Sequence, residues 1–252
     1  MKPILFTIGS LPIGSYGVMV AIGFLVGVYV SYLRARSRDI SPKIIIELAL
    51  LALVSGMVGA RIFHAIQHIE SNGFIVLEGG LAFYGGFIFA CLVGFIYLRS
   101  MAMPIPEMMD ILTPSLAIGE AIGRIGCFLA GCCYGRPTDS LLGVTYPEKS
   151  LTYLLLKGQR SYPTQIFSSI SLFLIFVILI TISKRIVFSG QLFLIYAIIH
   201  SAYRFLIDFF RAYSAEEYIG ILATSQVMSL LIGLTALFIM IIILLRRKPK
   251  ET

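Results

Sequence analysis

GQLFLIYAIIHSAYRFLIDFFR, residues 190–211, is an apolar run that nevertheless carries a histidine, an aspartate and two arginines. A helix that crosses a bilayer needs about 20 mostly apolar residues, so the stretch is long enough to span. In helical geometry Tyr196, His200, Arg204, Asp208 and Arg211 recur at i, i+4, i+8, i+12 and i+15, which draws one hydrogen-bonding stripe down a single face. Asp208 is in register to brace either Arg204 or Arg211. Charged groups are costly against lipid, so such a face belongs in a protein interior.

Six further stretches have the length and composition of spans, near 16–33, 44–66, 79–98, 105–130, 165–182 and 225–245. The whole chain agrees with them: 58% of its 252 residues are hydrophobic, 13% are charged, there is no Trp, and the mean hydropathy is +0.92. A soluble domain carries about 25% charged residues, which this chain does not approach. The expectation is an all-α polytopic membrane protein of seven transmembrane helices. The first span is expected to remain in place, because its basic cluster Arg34, Arg36 and Arg38 follows the apolar run, whereas a cleaved signal carries its charge ahead of it.

The basic residues orient these spans. With the N-terminus outside, eleven of the 20 Lys and Arg fall in cytoplasmic segments and six in outer ones, so the positive-inside rule supports N-out and C-in. Most connections are short, and one membrane-embedded domain over residues 1–252 is expected. Its one sizeable outer-face segment is 134–163, with Pro137, Pro147 and Pro163. No basic arm suggests a nucleic-acid partner, and four clustered Cys do not make a disulfide scaffold.

The remaining basic residues, Arg61, Arg124 and Arg204, fall inside spans toward their outer ends. Each costs about 2.5 to 3.5 kcal/mol at a helix centre on insertion scales, less where the side chain snorkels. One explanation is pairing with internal acids, for which Glu47, Glu107, Asp110, Glu120 and Asp208 are available. The other is an anionic ligand, since guanidinium binds phosphate or carboxylate bidentately and stays charged. Glu120, Arg124, Cys127 and Gly131 share a face on the fourth span, and Arg61, His64 and His68 share one on the second. The three polar faces are expected to converge on one cavity. Gly56, Gly59, Ala60, Gly79, Gly80, Gly85 and Gly86 serve either close helix packing or backbone approach to a ligand.

The stretch GRIGCFLAGCCYGRPT at 123–138 resembles the signature of the prolipoprotein diacylglyceryl transferase family, bacterial enzymes that move a diacylglyceryl group from phosphatidylglycerol to the cysteine of a prelipoprotein lipobox. Further similar blocks follow the family order: SYGVM at 15–19, GARI at 59–62, GGLAFYGG at 79–86, YPTQIF at 162–167, YRFLIDFFR at 203–211 and SQVMS at 225–229. The resemblance covers most of the chain and implies the same seven-span, N-out topology in the bacterial cytoplasmic membrane. It implies that Arg124 and Arg204 match the essential arginines and Tyr16 the first-span site tyrosine. It further matches Arg61, Gly135, Gln165, Asp208, Arg211 and Gln226 to family positions, as substrate-binding residues. Four positions depart from the better-known form: Cys127 replaces Asn, Cys132 replaces an acid, Tyr84 replaces His, and His200 stands where Tyr is frequent; Cys127 and Tyr84 are still expected among the substrate-binding residues.

The implied reaction is an alkyl transfer in which a thiol sulfur attacks a glycerol carbon and glycerol 1-phosphate leaves. It needs stabilisation of charge on the leaving phosphate, expected from Arg124 and Arg204. His200, one turn from Arg204, is the candidate base for the acceptor thiol, or else an orienting residue. Tyr84 or Tyr16 would orient substrate through a phenol hydroxyl. No metal or organic cofactor is implied, and Cys127, Cys132 and Cys133 are expected to be small packing residues rather than a metal or redox centre. The expected partners are phosphatidylglycerol, a prelipoprotein signal peptide with its lipobox cysteine, and membrane lipids. The rival readings are a non-catalytic carrier of an anion or anionic lipid, and a cysteine-based membrane redox protein.

Overall fold

A computed structural model describes residues 1–9, 11–67, 82–148, 150–214 and 217–246, so the expectations for His68, Gly79 and Gly80 lie outside the described residues. The chain is mostly helical. Two short antiparallel hairpins, β1 (Ile4–Ile8) with β2 (Leu11–Gly14) and β3 (Tyr218–Ile219) with β4 (Leu222–Ala223), qualify the all-α expectation. The long helices are α1 (Ser15–Arg36), α2 (Pro42–Gln67), α3 (Phe83–Ser100), α4 (Ile105–Ala130), α6 (Thr164–Ile182), α7 (Gln191–Ile207) and α8 (Thr224–Arg246), and α5 (Leu151–Leu155) is a single short turn. Among the described residues six helices are long and apolar enough to cross a membrane; the seventh, in the expected third span, is a shorter apolar helix, Tyr84–Ser100. Large apolar side chains such as Leu25, Tyr29, Leu234 and Phe238 point outward from these helices. Such surfaces are stable against lipid tails and a liability in water, so the chain is a multi-pass membrane protein.

The described residues form two compact units, Met1–Gly27 with Leu112–Thr252, and Val28–Ile111; α1 and α4 contribute residues to both. In the first unit the core is built from Ala117 and Ala121 of α4, Leu172, Ile175 and Leu179 of α6, and Leu192, Tyr203 and Ile207 of α7. Ser169 Oγ donates to the Ala121 carbonyl at 2.9 Å and ties α6 to α4.

In the second unit the glycines serve packing. A Cβ on Gly59 would meet the Gly85 carbonyl oxygen at 2.7 Å and one on Gly85 would meet that of Gly59 at 2.5 Å, so α2 and α3 approach backbone to backbone. Gly86 faces the Gly56 carbonyl in the same way. The acids expected to neutralise intramembrane arginines are used differently here. Glu107 pairs with Arg38 at 3.9 Å, and Glu47 pairs with Lys43 at 3.5 Å while accepting from the Tyr97 hydroxyl.

Arg34, counted from sequence only as a topology signal, has a structural task. Pro114 inside α4 has no N–H, so the carbonyl one turn earlier, that of Asp110, loses its helical donor. Arg34 Nη2 donates to the Asp110 carbonyl and Nε to that of Ile111, both at 3.1 Å. Hydrogen bonds from charged groups contribute about 1.5 to 3 kcal/mol. Arg34→Ala is therefore expected to destabilise the protein by about 1 to 3 kcal/mol, measured as a lower unfolding midpoint in detergent. Arg34→Lys, which lacks the forked donors, is expected to recover at most part of that loss.

Candidate functional site

In the first unit Glu120 holds two contacts at once, one within its own helix and one across to α7. Its Oε1 receives Arg124 Nη2 at 2.9 Å from one turn along α4, and its Oε2 lies 2.9 Å from His200 Nε2 on α7. A carboxylate only accepts, so in this contact His200 Nε2 is the donor. The imidazole is held between the Tyr196 and Tyr203 rings, at centroid distances of 5.2 and 5.5 Å. Glu120 was noted in the sequence as a face-mate of Arg124 and a possible counter-charge, but its bridge to His200 needed the fold.

A second node sits where α7 ends. Arg204 Nη2 lies 3.4 Å from Asp208 Oδ1 and donates to the Tyr213 hydroxyl at 3.3 Å. The Tyr213 hydroxyl donates to Asp208 Oδ1 at 2.7 Å, and Ser225 Oγ donates to Asp208 Oδ2 at 2.6 Å. Asp208 is buried with both oxygens engaged. Tyr213 and Ser225 escaped the sequence reading because neither lies on the helical stripe. Ser225 does fall in the SQVMS block, one residue before Gln226.

Arg211 departs from the expected stripe. α7 stops at Ile207, a 3-10 turn covers Asp208–Phe210, and Arg211 is extended with φ −83° and ψ 151°. It is placed by strand-like pairing with Gly135, not by helical periodicity. Arg136 N donates to the Phe210 carbonyl and Gly135 N to that of Tyr162, both at 2.9 Å. A Cβ on Gly135 would meet Phe210 O at 2.5 Å and Tyr162 O at 2.8 Å, so only glycine fits the junction. The Arg211 guanidinium lies over the Tyr213 ring, 5.3 Å from its centroid, and the hydroxyl of that ring accepts from Arg204. Among the described residues Arg204 Nη1 and Arg211 Nε are buried without a hydrogen-bond partner.

The two glutamines brace the architecture, although Gln165 Oε1 is itself buried without a hydrogen-bond partner. Gln226 Oε1 accepts from Ala223 N at 2.9 Å and its Nε2 donates to the Phe205 carbonyl at 3.3 Å, which fixes the start of α8 against α7. Gln165 Nε2 donates to the Cys132 carbonyl at 2.6 Å and to the Tyr146 hydroxyl at 2.9 Å. Tyr16 reaches the region by backbone approach: a Cβ on Gly126 would meet Met19 Cβ at 2.9 Å and the Tyr16 backbone at 3.4 Å. Its side chain is half exposed.

Cys127, Cys132 and Cys133 bring their three Sγ atoms within 4.8 Å of one another. Hydrogen bonds from the Cys127 and Cys132 thiols, followed by the charges of Arg211 and Arg124, pull the Cys133 thiol well below its ordinary range against the effect of burial. A small open pocket of about 100 Å³, lined by Met1, Pro3, Leu129, Ala130, Gly131, Pro147 and Ser150, includes none of the expected site residues.

Arg124, Arg204, His200, Tyr16, Cys127, Gly135, Gln165, Asp208, Arg211 and Gln226 thus all belong to the first unit, while Arg61 and Tyr84 belong to the second. Arg61 and His64 are half-buried on α2, and Tyr84 opens α3 with 72% of its surface exposed.

The model of the family described as prolipoprotein diacylglyceryl transferase matches residues 3–242. A protein of Clostridium tetani (strain Massachusetts / E88) named phosphatidylglycerol--prolipoprotein diacylglyceryl transferase is 32% identical over 244 residues, covering 95% of this chain and 96% of its own. Proteins of the same name from Dehalococcoides mccartyi and Clostridium botulinum (strain Langeland) are 33% and 30% identical, covering 100% and 98% of this chain and 96% and 99% of their own.

The Gly135 junction makes a direct prediction. Gly135→Ala is expected to detach 134–163 from Phe210 and Arg211, seen as faster limited proteolysis within that segment while the helical circular dichroism is kept. Unchanged proteolysis would show that the junction tolerates a side chain.

Proposed function

The chain belongs to the prolipoprotein diacylglyceryl transferase family, and from that premise we propose that it moves the diacylglyceryl group of phosphatidylglycerol onto the lipobox cysteine thiol of bacterial prelipoproteins. A thioether forms and glycerol 1-phosphate leaves. The carrier reading is not favoured, because the relatives are named for the transfer and cover nearly the whole of this chain.

The observation that carries the site assignment is the pair of buried, unpartnered guanidinium nitrogens, Arg204 Nη1 and Arg211 Nε, whose side chains both contact Tyr213. A buried N–H without an acceptor costs about 1 to 3 kcal/mol, and a phosphate oxygen would satisfy each. Asp208 neutralises one of the two positive charges, which leaves the pair net cationic toward a phosphodiester. Arg204 and Arg211 hold the headgroup phosphate. Arg124, fixed by Glu120, adds to the positive field in which charge develops on the leaving oxygen.

His200 is committed through Nε2 to Glu120 and thereby positions the Glu120–Arg124 pair; in the neutral ring Nδ1 is the nitrogen able to accept a proton. Asp208 orients Arg204. Gly135, Gln165 and Gln226 act by holding the backbone around the site, and Cys127 lies one turn beyond Arg124. Tyr16 and Arg61 are each assigned to substrate contact from their matches to the family blocks, and Tyr84 from its place in GGLAFYGG, where the better-known form has His. The chain is read from its sequence as one membrane-embedded domain of seven spans in the bacterial cytoplasmic membrane. Its N-terminus is outside, its C-terminus is cytoplasmic, and residues 134–163 lie on the outer face toward the preprotein. No organic cofactor is required.

The test is a reconstituted assay with vesicles containing phosphatidylglycerol and a lipobox peptide, read as the mass gain on the peptide thiol. Arg124→Ala and Arg204→Ala are each expected to lower transfer by at least about 100-fold, the scale of losing a charge-stabilising donor, while the variants still insert and fold. Parent-level turnover in either variant would remove that residue from the site.

A further inference from the structure

Three cysteines of one short stretch remain outside this account. Helix α4 ends at Ala130 with Gly131 left-handed at φ +78°. Cys132 N donates to the Cys127 carbonyl at 3.1 Å and Gly131 N to that of Phe128 at 3.2 Å, a Schellman cap. This cap folds the residue after the glycine back over the last helical turn. In CFLAGCC those two positions are Cys132 and Cys127, so the cap itself brings their thiols together.

Cys133 joins them at a cost. Its φ of +60° is a left-handed conformation that costs a side-chain-bearing residue about 1 to 2 kcal/mol. Two neighbours hold it there: Thr164 Oγ1 donates to the Cys133 carbonyl at 2.8 Å, and Gln165 Nε2 donates to that of Cys132 at 2.6 Å. The three Sγ atoms lie within 4.8 Å of one another, against about 3.8 Å between sulfurs arranged tetrahedrally at the roughly 2.3 Å bonds of zinc. Cys127 is buried, Cys133 half-buried and Cys132 exposed, so the set is closed on one side and open on the other. All three are free thiols. Thiolate ligands select zinc-class ions over hard cations.

We propose that Cys127, Cys132 and Cys133 form a three-thiolate site for a zinc-class cation whose fourth, open position receives the acceptor thiol of the peptide. Three protein ligands with one open position are the pattern of a reactive rather than a closed structural zinc site. The role rests on the transfer reaction proposed above. A thiol that ligates such an ion is deprotonated outright, which meets the chemical demand of the reaction. The acceptor thiol loses its proton to water and its sulfur lone pair forms the bond to the glycerol carbon. The carbon–oxygen bond breaks and its electron pair leaves on the phosphate oxygen of glycerol 1-phosphate. The neutral thioether is a poorer ligand than the thiolate and vacates the position.

The purified full chain, kept reduced in detergent, is titrated with cobalt(II) as the probe and then with zinc(II). The expected result is about one cobalt per chain with a thiolate-to-cobalt charge-transfer band, displaced by zinc. Cys132→Ser and Cys133→Ser are expected to weaken binding by at least about 100-fold. Adding the lipobox peptide should change the cobalt ligand-field spectrum, and a peptide with Ser in place of its Cys should not. Chelation is expected to lower transfer at least about tenfold, and zinc to restore it. No cobalt bound by the parent chain, or equal binding by both Ser variants, overturns the site. Binding with no spectral response to the thiol peptide and full transfer after chelation overturns the open position. A chain that binds cobalt and responds to the peptide yet transfers nothing with zinc present leaves the site standing and overturns the transfer reaction instead.

Discussion

The Glu120 carboxylate, with Arg124 on one oxygen and His200 on the other, is the interaction on which the site in the first unit depends. A guanidinium inside a membrane-spanning helix is tolerable only when its charge is answered nearby, and here the answer comes from the same helix one turn away. By taking His200 as well, the acid also locks α4 to α7. Asp208 repeats the device at the end of α7, holding Arg204 while Tyr213 and Ser225 fill the rest of its acceptor capacity. Pairing with internal acids and binding an anion, which sequence alone presents as competing explanations, are compatible. Each acid engages one edge of its arginine, and Arg204 keeps a further buried nitrogen.

The rest of the first-unit site is held by backbone. Gly135 admits the Phe210–Arg211 segment against residues 135 and 136, and this pairing carries Arg211 beyond the helix into reach of Tyr213. Gln226 spends its amide on a backbone N–H and a carbonyl, and Gln165 its Nε2 on the Cys132 carbonyl and the Tyr146 hydroxyl. Residues that a motif comparison groups as substrate contacts thus divide into side chains that present charge and side chains that shape the scaffold.

The cysteines show how a local signal becomes chemistry. The spacing of Cys127 and Cys132 around Ala130 and Gly131 is that of a helix terminus, where the cap superposes two positions that are five residues apart. From sequence alone they read as small packing residues, because there is no CxxC pair and no partner Cys on another segment except Cys91. The third thiol is aimed by hydrogen bonds from the start of α6, about 30 residues away in sequence, and no local pattern encodes that.

Local physics made much of this protein readable. Apolar runs long enough for a bilayer mark the helices within a few residues, the Arg124 and Arg204 positions stand out by their expense, and i, i+4 spacing pairs each with its acid. These depend only on chain geometry over one or two turns. Tertiary structure decided what joins across elements: His200 to Glu120 over a separation of 80 residues, Tyr213 and Ser225 to Asp208, the early end of α7 that turns Arg211 away from its helical face, and the convergence of three sulfurs. Helical periodicity fixes the direction of a side chain relative to its own helix. Which group it meets depends on how closely the backbones approach, and glycine positions and backbone hydrogen bonds set that approach only once the chain has folded.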